Sequence, residues 1–116
     1  MKRETIQRVA TPTAILVGLD DALAVMCTDL LADGGLRVLR VGHVAAASER
    51  IPVVMPQLVL TSTTLSDEDT ETLADRCVAV GAEVLKLAPG TDPEALRPML
   101  KNAAQTALIR SLRGAR

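Results

Sequence analysis

Four short strand-like runs, two of them continuously apolar and each followed by a helical pattern, constrain this chain more than any other feature of its sequence. The first is Ala14-Ile15-Leu16-Val17-Gly18-Leu19. A continuous run of that length, without polar alternation, predicts a strand covered on both faces. Asp20 follows as a helix N-cap, and Asp21 falls in the first turn, where the helix dipole favours a carboxylate. Leu23, Met26, Cys27, Leu30 and Leu31 then recur at helical spacing until Gly34-Gly35 stops the helix.

The same unit recurs along the chain. Leu36 to Val41 predicts a second strand, Gly42 turns the chain, and Val44 to Arg50 predicts a short Ala-rich helix. Pro52 and Pro56 punctuate the approach to a third strand, Leu58 to Thr61. Ser66-Asp67-Glu68-Asp69 resembles a capping box with an acidic first turn, and its helix runs through Leu73, Cys77 and Val80 to Gly81. Glu83 to Leu87 is the fourth strand, ending at Pro89-Gly90. Asp92 caps the last helix, Pro93 suits its first position, and Leu96, Leu100, Ala103, Ala107 and Leu108 give it an apolar face. Pro98 is expected to kink that helix or delay its start. Strands alternating with helices through short links predict an α/β fold: a small, doubly wound parallel sheet of about four βα units with right-handed crossovers. Residues 1–12 are expected to form a charged tail and residues 13–116 a single domain.

Composition removes several function classes. The chain has no Phe, Tyr or Trp, so bases have no aromatic platform to stack on, and the core must be built from aliphatic side chains. A net charge of −1 gives no electrostatic footprint for nucleic acid or an anionic membrane. The arginines and lysines near both ends, Lys2, Arg3, Arg8, Arg110, Arg113 and Arg116, are too few to reverse that, and those at a helix C-terminus have a dipole explanation. Cys27 and Cys77 form neither a disulfide framework nor a zinc spacing and are expected as buried small hydrophobes. No signal-peptide pattern or membrane-length apolar run is present, so a cytoplasmic protein is expected, and the excess of Arg over Lys suggests a bacterial genome rich in GC.

Parallel strands send their C-terminal loops to one edge of the sheet, which gathers Asp20, Asp21, Gly42, His43, Thr61 to Thr64 and Ala88-Pro89-Gly90. The order of these fragments resembles the receiver domain of bacterial two-component response regulators. "ILVGLDD" is similar to that family's first strand and acidic turn, "PQLVLTS" to the strand that ends in the phosphoryl-accepting Asp, and "GAEVLKLAPGTDPEALRPML" to its closing segment. The resemblance touches most of residues 14–112. It implies a flavodoxin-like, receiver-like fold of five βα units, of which four are found here, so one unit has been lost or fused.

The departures fall on the chemistry. In the family an acidic pair and the acceptor Asp hold magnesium, and a Lys contacts the phosphoryl group. By the resemblance, Leu19 takes the first acidic place and Asp20 the second, with Asp21 just beyond. Ser62 stands at the acceptor place and Ala88 at that of the Lys, with Lys86 two residues earlier. "LVLTS" can also be aligned with the family's fourth strand, which makes Thr61 its switch hydroxyl, with Thr63 nearby; both alignments lack the acceptor Asp. Acyl-phosphate formation needs a carboxylate held by a divalent cation. The resemblance therefore implies a degenerate, truncated pseudo-receiver: not an enzyme, holding no metal or cofactor, and acting through a protein partner or a second copy of itself. Receivers signal through the last helix, which makes Leu100, Ala104, Leu108 and Ile109 the candidate interface. The alternative is a small-ligand module of cobalamin or nucleotide type using the same loops. Neither the DxHxxG loop of flavodoxin-like cobalamin domains nor GxGxxG nor a P-loop supports it.

Overall fold

The computed structural model of the protein describes residues 11–114, with side chains to residue 112. Most of the expected tail, residues 1–10, lies outside the described residues, as does Arg116. Eight elements alternate along the chain: β1 (Thr13–Val17), α1 (Asp21–Asp33), β2 (Arg37–Val41), α2 (Val44–Val54), β3 (Leu58–Ser62), α3 (Asp67–Val80), β4 (Glu83–Leu87) and α4 (Pro93–Gly114). The strands form one parallel sheet in the order β2-β1-β3-β4. The unbroken apolar runs sit where their lack of alternation requires: β1 and β3 are central and buried at every residue. The edge strands β2 and β4 instead expose their first and fourth residues.

Two helical layers cover the sheet. One core gathers Ala14, Leu16, Leu58 and Leu60 from the strands with Leu31 of α1 and Leu96 and Leu100 of α4. The other gathers Ile15, Val17 and Val59 with Ile51 of α2 and Leu73 and Cys77 of α3. The switch in side follows strand alternation, since neighbouring residues of β1 point to opposite faces. Both cysteines are buried, as their helical spacing predicts, and burial pushes each thiol up to about 11, with the nearby Asp20 charge adding to the effect at Cys27.

The helix starts match their signals. Asp20 accepts from the Leu23 N–H at 2.9 Å, Ser66 accepts from the Asp69 N–H at 3.1 Å, and Asp92 accepts from the Glu94 N–H at 3.2 Å. Pro52 behaves differently from expectation, and Pro98 does not delay its helix. α2 does not stop at Arg50; it runs through Pro52 to Val54 and ends on Met55, which adopts the left-handed conformation at φ 53°. Pro52 lies in the last turn, where losing one N–H removes a single bond rather than breaking a helix. α4 starts at Pro93 and includes Pro98, so its start is not delayed.

The glycine pair after α1 divides two tasks. Gly35, at φ +97°, makes the left-handed turn, whereas a side chain on Gly34 would meet the Ala104 Cβ at 2.7 Å. α1 and α4 therefore approach as closely as they do because Gly34 has no Cβ. That contact corrects the expected interface. Leu100 and Ala104 are 0% and 1% exposed and belong to the core, because α4 turns them onto the sheet and α1. Leu108 is partly buried above Gly35. Ile109 is exposed, and so is Leu112, one turn beyond Leu108. No described helix is long and apolar enough to cross a membrane.

Candidate site at the carboxyl edge of the sheet

Every strand ends at one edge, so the four following loops converge there. β1 leaves through Gly18, at φ +67°, whose N–H donates to the Val41 carbonyl at 3.1 Å and ties this loop to the end of β2. The turn sends Leu19 inward to join the α1/α4 core and leaves Asp20 and Asp21 outward. Both acids have structural partners. Asp20 caps α1, and the Asp21 carboxylate pairs with Arg40 of β2.

At the end of β3 the hydroxyls are also engaged. Thr61, buried, donates to the Val17 carbonyl at 3.1 Å and so stitches β3 to β1 beyond the backbone ladder. Ser62 is 7% exposed; its Oγ lies 2.7 Å from Thr64 Oγ1 and accepts from the Thr64 N–H at 3.1 Å. That is local turn chemistry, in which a short side chain satisfies a backbone donor two residues on. The Thr63 N–H donates to the Leu87 carbonyl at 3.1 Å, fastening the loop to β4, while the residue itself is exposed. His43 caps α2, its Nδ1 accepting from the Ala46 N–H at 3.3 Å.

The last loop brings Ala88, exposed, to the same edge, with its carbonyl accepting from the Thr91 N–H and hydroxyl. Lys86 lies beside Thr61 in the ladder and is exposed. A cavity of about 230 Å³ opens between Asp20, Leu23 and Met26 on one side and Gly90 and Thr91 on the other. Its one carboxylate is the α1 cap, and no cation lines it. Among the described residues, no three His, Cys, Asp or Glu side chains come together as a metal site.

The sequence-predicted positions Leu19, Asp20, Asp21, Thr61, Ser62, Thr63 and Ala88 thus meet at one edge, as the alternation of strands and helices requires. The partners that occupy them were less legible. Arg40 opposite Asp21 depends on β1–β2 register, which no local pattern announces. The pairing of β3 directly with β1 places it third in the order 2-1-3-4, the position next to the first strand in flavodoxin-like sheets.

No protein-family model matches the chain, and no curated protein matches it. Solved structures do. A signal receiver domain from Vibrio parahaemolyticus superposes with a TM-score of 0.60 at 18% identity, covering 88% of this chain and 96% of its own. A CheY-like response regulator receiver domain from Methanospirillum hungatei gives 0.58 at 15% identity, covering 86% and 98%. The pseudo-receiver domain of the CikA protein gives 0.55 at 18% identity, covering 90% and 96%. The chain has the receiver fold: a parallel α/β sheet wound on both faces, here with four strands and four helices.

Proposed function

We propose that the protein is a non-catalytic receiver-like signalling domain that forms no aspartyl phosphate and acts by contact with another protein. One observation carries this reading: Ser62, at the end of β3 beside β1, stands where the resemblance expects the acceptor carboxylate, and its hydroxyl is held by Thr64. An alcohol is a weak nucleophile at neutral pH without a base to take its proton. His43, the one histidine of the sequence, is engaged as a helix cap. Leu19 and Ala88 replace a carboxylate and an ammonium with apolar groups, and Asp20 and Asp21 have other partners. Thr61 and Thr63 fix the strand ends in place of acting as a switch. The pseudo-receiver neighbour supports the same class. Residues 13–116 act as one unit, and the partner contact falls on the exposed end of α4, at Leu108, Ile109 and Leu112.

Incubation with acetyl phosphate, or with beryllofluoride and magnesium, tests the reading by intact mass and thermal denaturation. Both should be unchanged. A phosphoryl adduct at Ser62, or a clear rise in Tm with beryllofluoride, overturns it.

A further inference from the structure

Among the described residues, β4 closes one side of the sheet with no strand beyond it. The Glu83 N–H donates to the Gln57 carbonyl at 3.0 Å, and the Leu87 carbonyl accepts from the Thr63 N–H at 3.1 Å. Parallel ladders alternate, so Glu83, Leu85 and Leu87 turn their backbone groups to β3, while those of Val84 and Lys86 point off the sheet. The other edge differs in charge. The exposed residues of β2 are Arg37 and Arg40, so two β2 edges would repel one another. On β4 the exposed residues are Glu83 and Lys86, which cancel. Between them Val84 and Leu85 are only partly buried, each on its own face of the sheet.

The flanking helices leave apolar groups beside this edge. α3 presses Leu73 and Cys77 onto the sheet, and a right-handed helix descending over β3 and β4 then turns Ala74 and Val78 toward the β4 side. Val78 is 79% exposed. On the other face α4 buries Leu96, Leu100 and Ala103 and turns Met99, 41% exposed, to the same side. Arg110, further along that flank, donates to the Gly81 carbonyl at the entry to β4, which fixes the direction.

We infer that two copies of the chain join edge to edge through β4, antiparallel about Leu85, into one continuous eight-stranded sheet. In this register Val84 of each copy faces Lys86 of the other, and their outward backbone groups exchange four hydrogen bonds. The two Leu85 side chains meet on the axis as a close pair without hydrogen bonds, on the α1/α4 face. Each Lys86 comes to the face that carries the other copy's α3. That helix holds Asp67, Glu68, Asp69, Glu71 and Asp75 against Arg76, with no base in its last turn. Helix dipole and side-chain charge both favour a cation there. A five-residue strand pair falls short of the roughly 800 Å² per partner of a stable interface. Val78 and Met99 supply apolar area on the two faces, and the isologous contact closes at two copies.

Sedimentation of the full chain at about 100 µM should give twice the 12.2 kDa monomer mass. Val84→Pro removes an outward N–H and leaves the β3–β4 ladder intact, so it should yield a monomer with unchanged circular dichroism. Val78→Glu, at an exposed position, should weaken association at least about tenfold. Under mild oxidation Leu85→Cys should form a covalent dimer and Val84→Cys should not, since Val84 faces Lys86. A monomeric wild type overturns the inference. So does a dimer that survives both Val84→Pro and Val78→Glu, or one lost instead on Ile109→Asp, which would assign it to the end of α4.

Discussion

The two helical layers reach comparable burial by different means. α1 and α4 close over small residues: Gly34 lies against Ala104, and Leu31, Leu96 and Leu100 fill the space beneath at 0% exposure. α2 and α3 close over local compromises. α2 carries Pro52, ends on a left-handed Met55, and buries the Ser48 hydroxyl without a partner among the described residues. One layer is held at close approach by the missing Cβ of Gly34, whereas the other carries correctable faults. Substitutions in the two layers should therefore differ in sign as well as size.

Leu100→Ala should cause the largest change, lowering unfolding free energy by about 2–5 kcal/mol in urea denaturation, because it truncates a fully buried side chain beneath α4. An unchanged urea midpoint would end the claim that Leu100 anchors α4 to the core. Next come the thiols, one under each layer. Their folded pKa is raised from 9.0 to about 11, so the stability they contribute is complete below pH 9 and is lost as pH rises toward 11. At two pKa units the loss reaches at most about 2.7 kcal/mol per thiol. A Cys27→Ala/Cys77→Ala variant should lose less stability than the wild type between pH 8.5 and 11, in the same denaturation assay.

Gly34→Ala should cost about 1–3 kcal/mol, since the backbone at φ −82° accepts alanine but Ala104 does not. The double variant that also carries Ala104→Gly should recover part of the loss, which a purely conformational effect would not. In the opposite layer the sign reverses. Ser48→Ala should raise stability by about 1 kcal/mol, because it deletes a buried hydroxyl that has no bond to lose. Met55→Gly should add about 0.5–1 kcal/mol by relieving the left-handed backbone at an exposed side chain, measured as a shift in Tm.

What could be read in the sequence was whatever chemistry is local. Asp20, Ser66 and Asp92 cap their helices because a short oxygen-bearing side chain and the N–H groups after it lie within a few residues. The continuous apolar runs put β1 and β3 at the centre for an equally local reason. Pro52 misled because a proline reports a missing donor, and whether that matters depends on how near the helix end lies. The apolar face of α4 could be seen, but not which of its residues would be covered by α1: Ala104 is buried by Gly34, seventy positions earlier in the chain. At the carboxyl edge the sequence brought Ser62, Asp21 and Thr61 together. It could not show that Thr64, Arg40 and Val17 would already be holding them.

The central place of β1 governs how the chain must fold. It pairs with β2 on one side and β3 on the other, always in parallel, so no neighbouring strands are joined by a hairpin. Ala14 meets Val38 only after the chain has passed through α1, and meets Leu58 only after β2 and α2 as well. Each pairing closes a long loop before its ladder returns any energy, which sets a slower folding rate than that of a helical bundle of this length. Once closed, the same strand is enclosed on every side. Its amide hydrogens, at Ile15 and Leu16 above all, should exchange with solvent only when the whole domain opens.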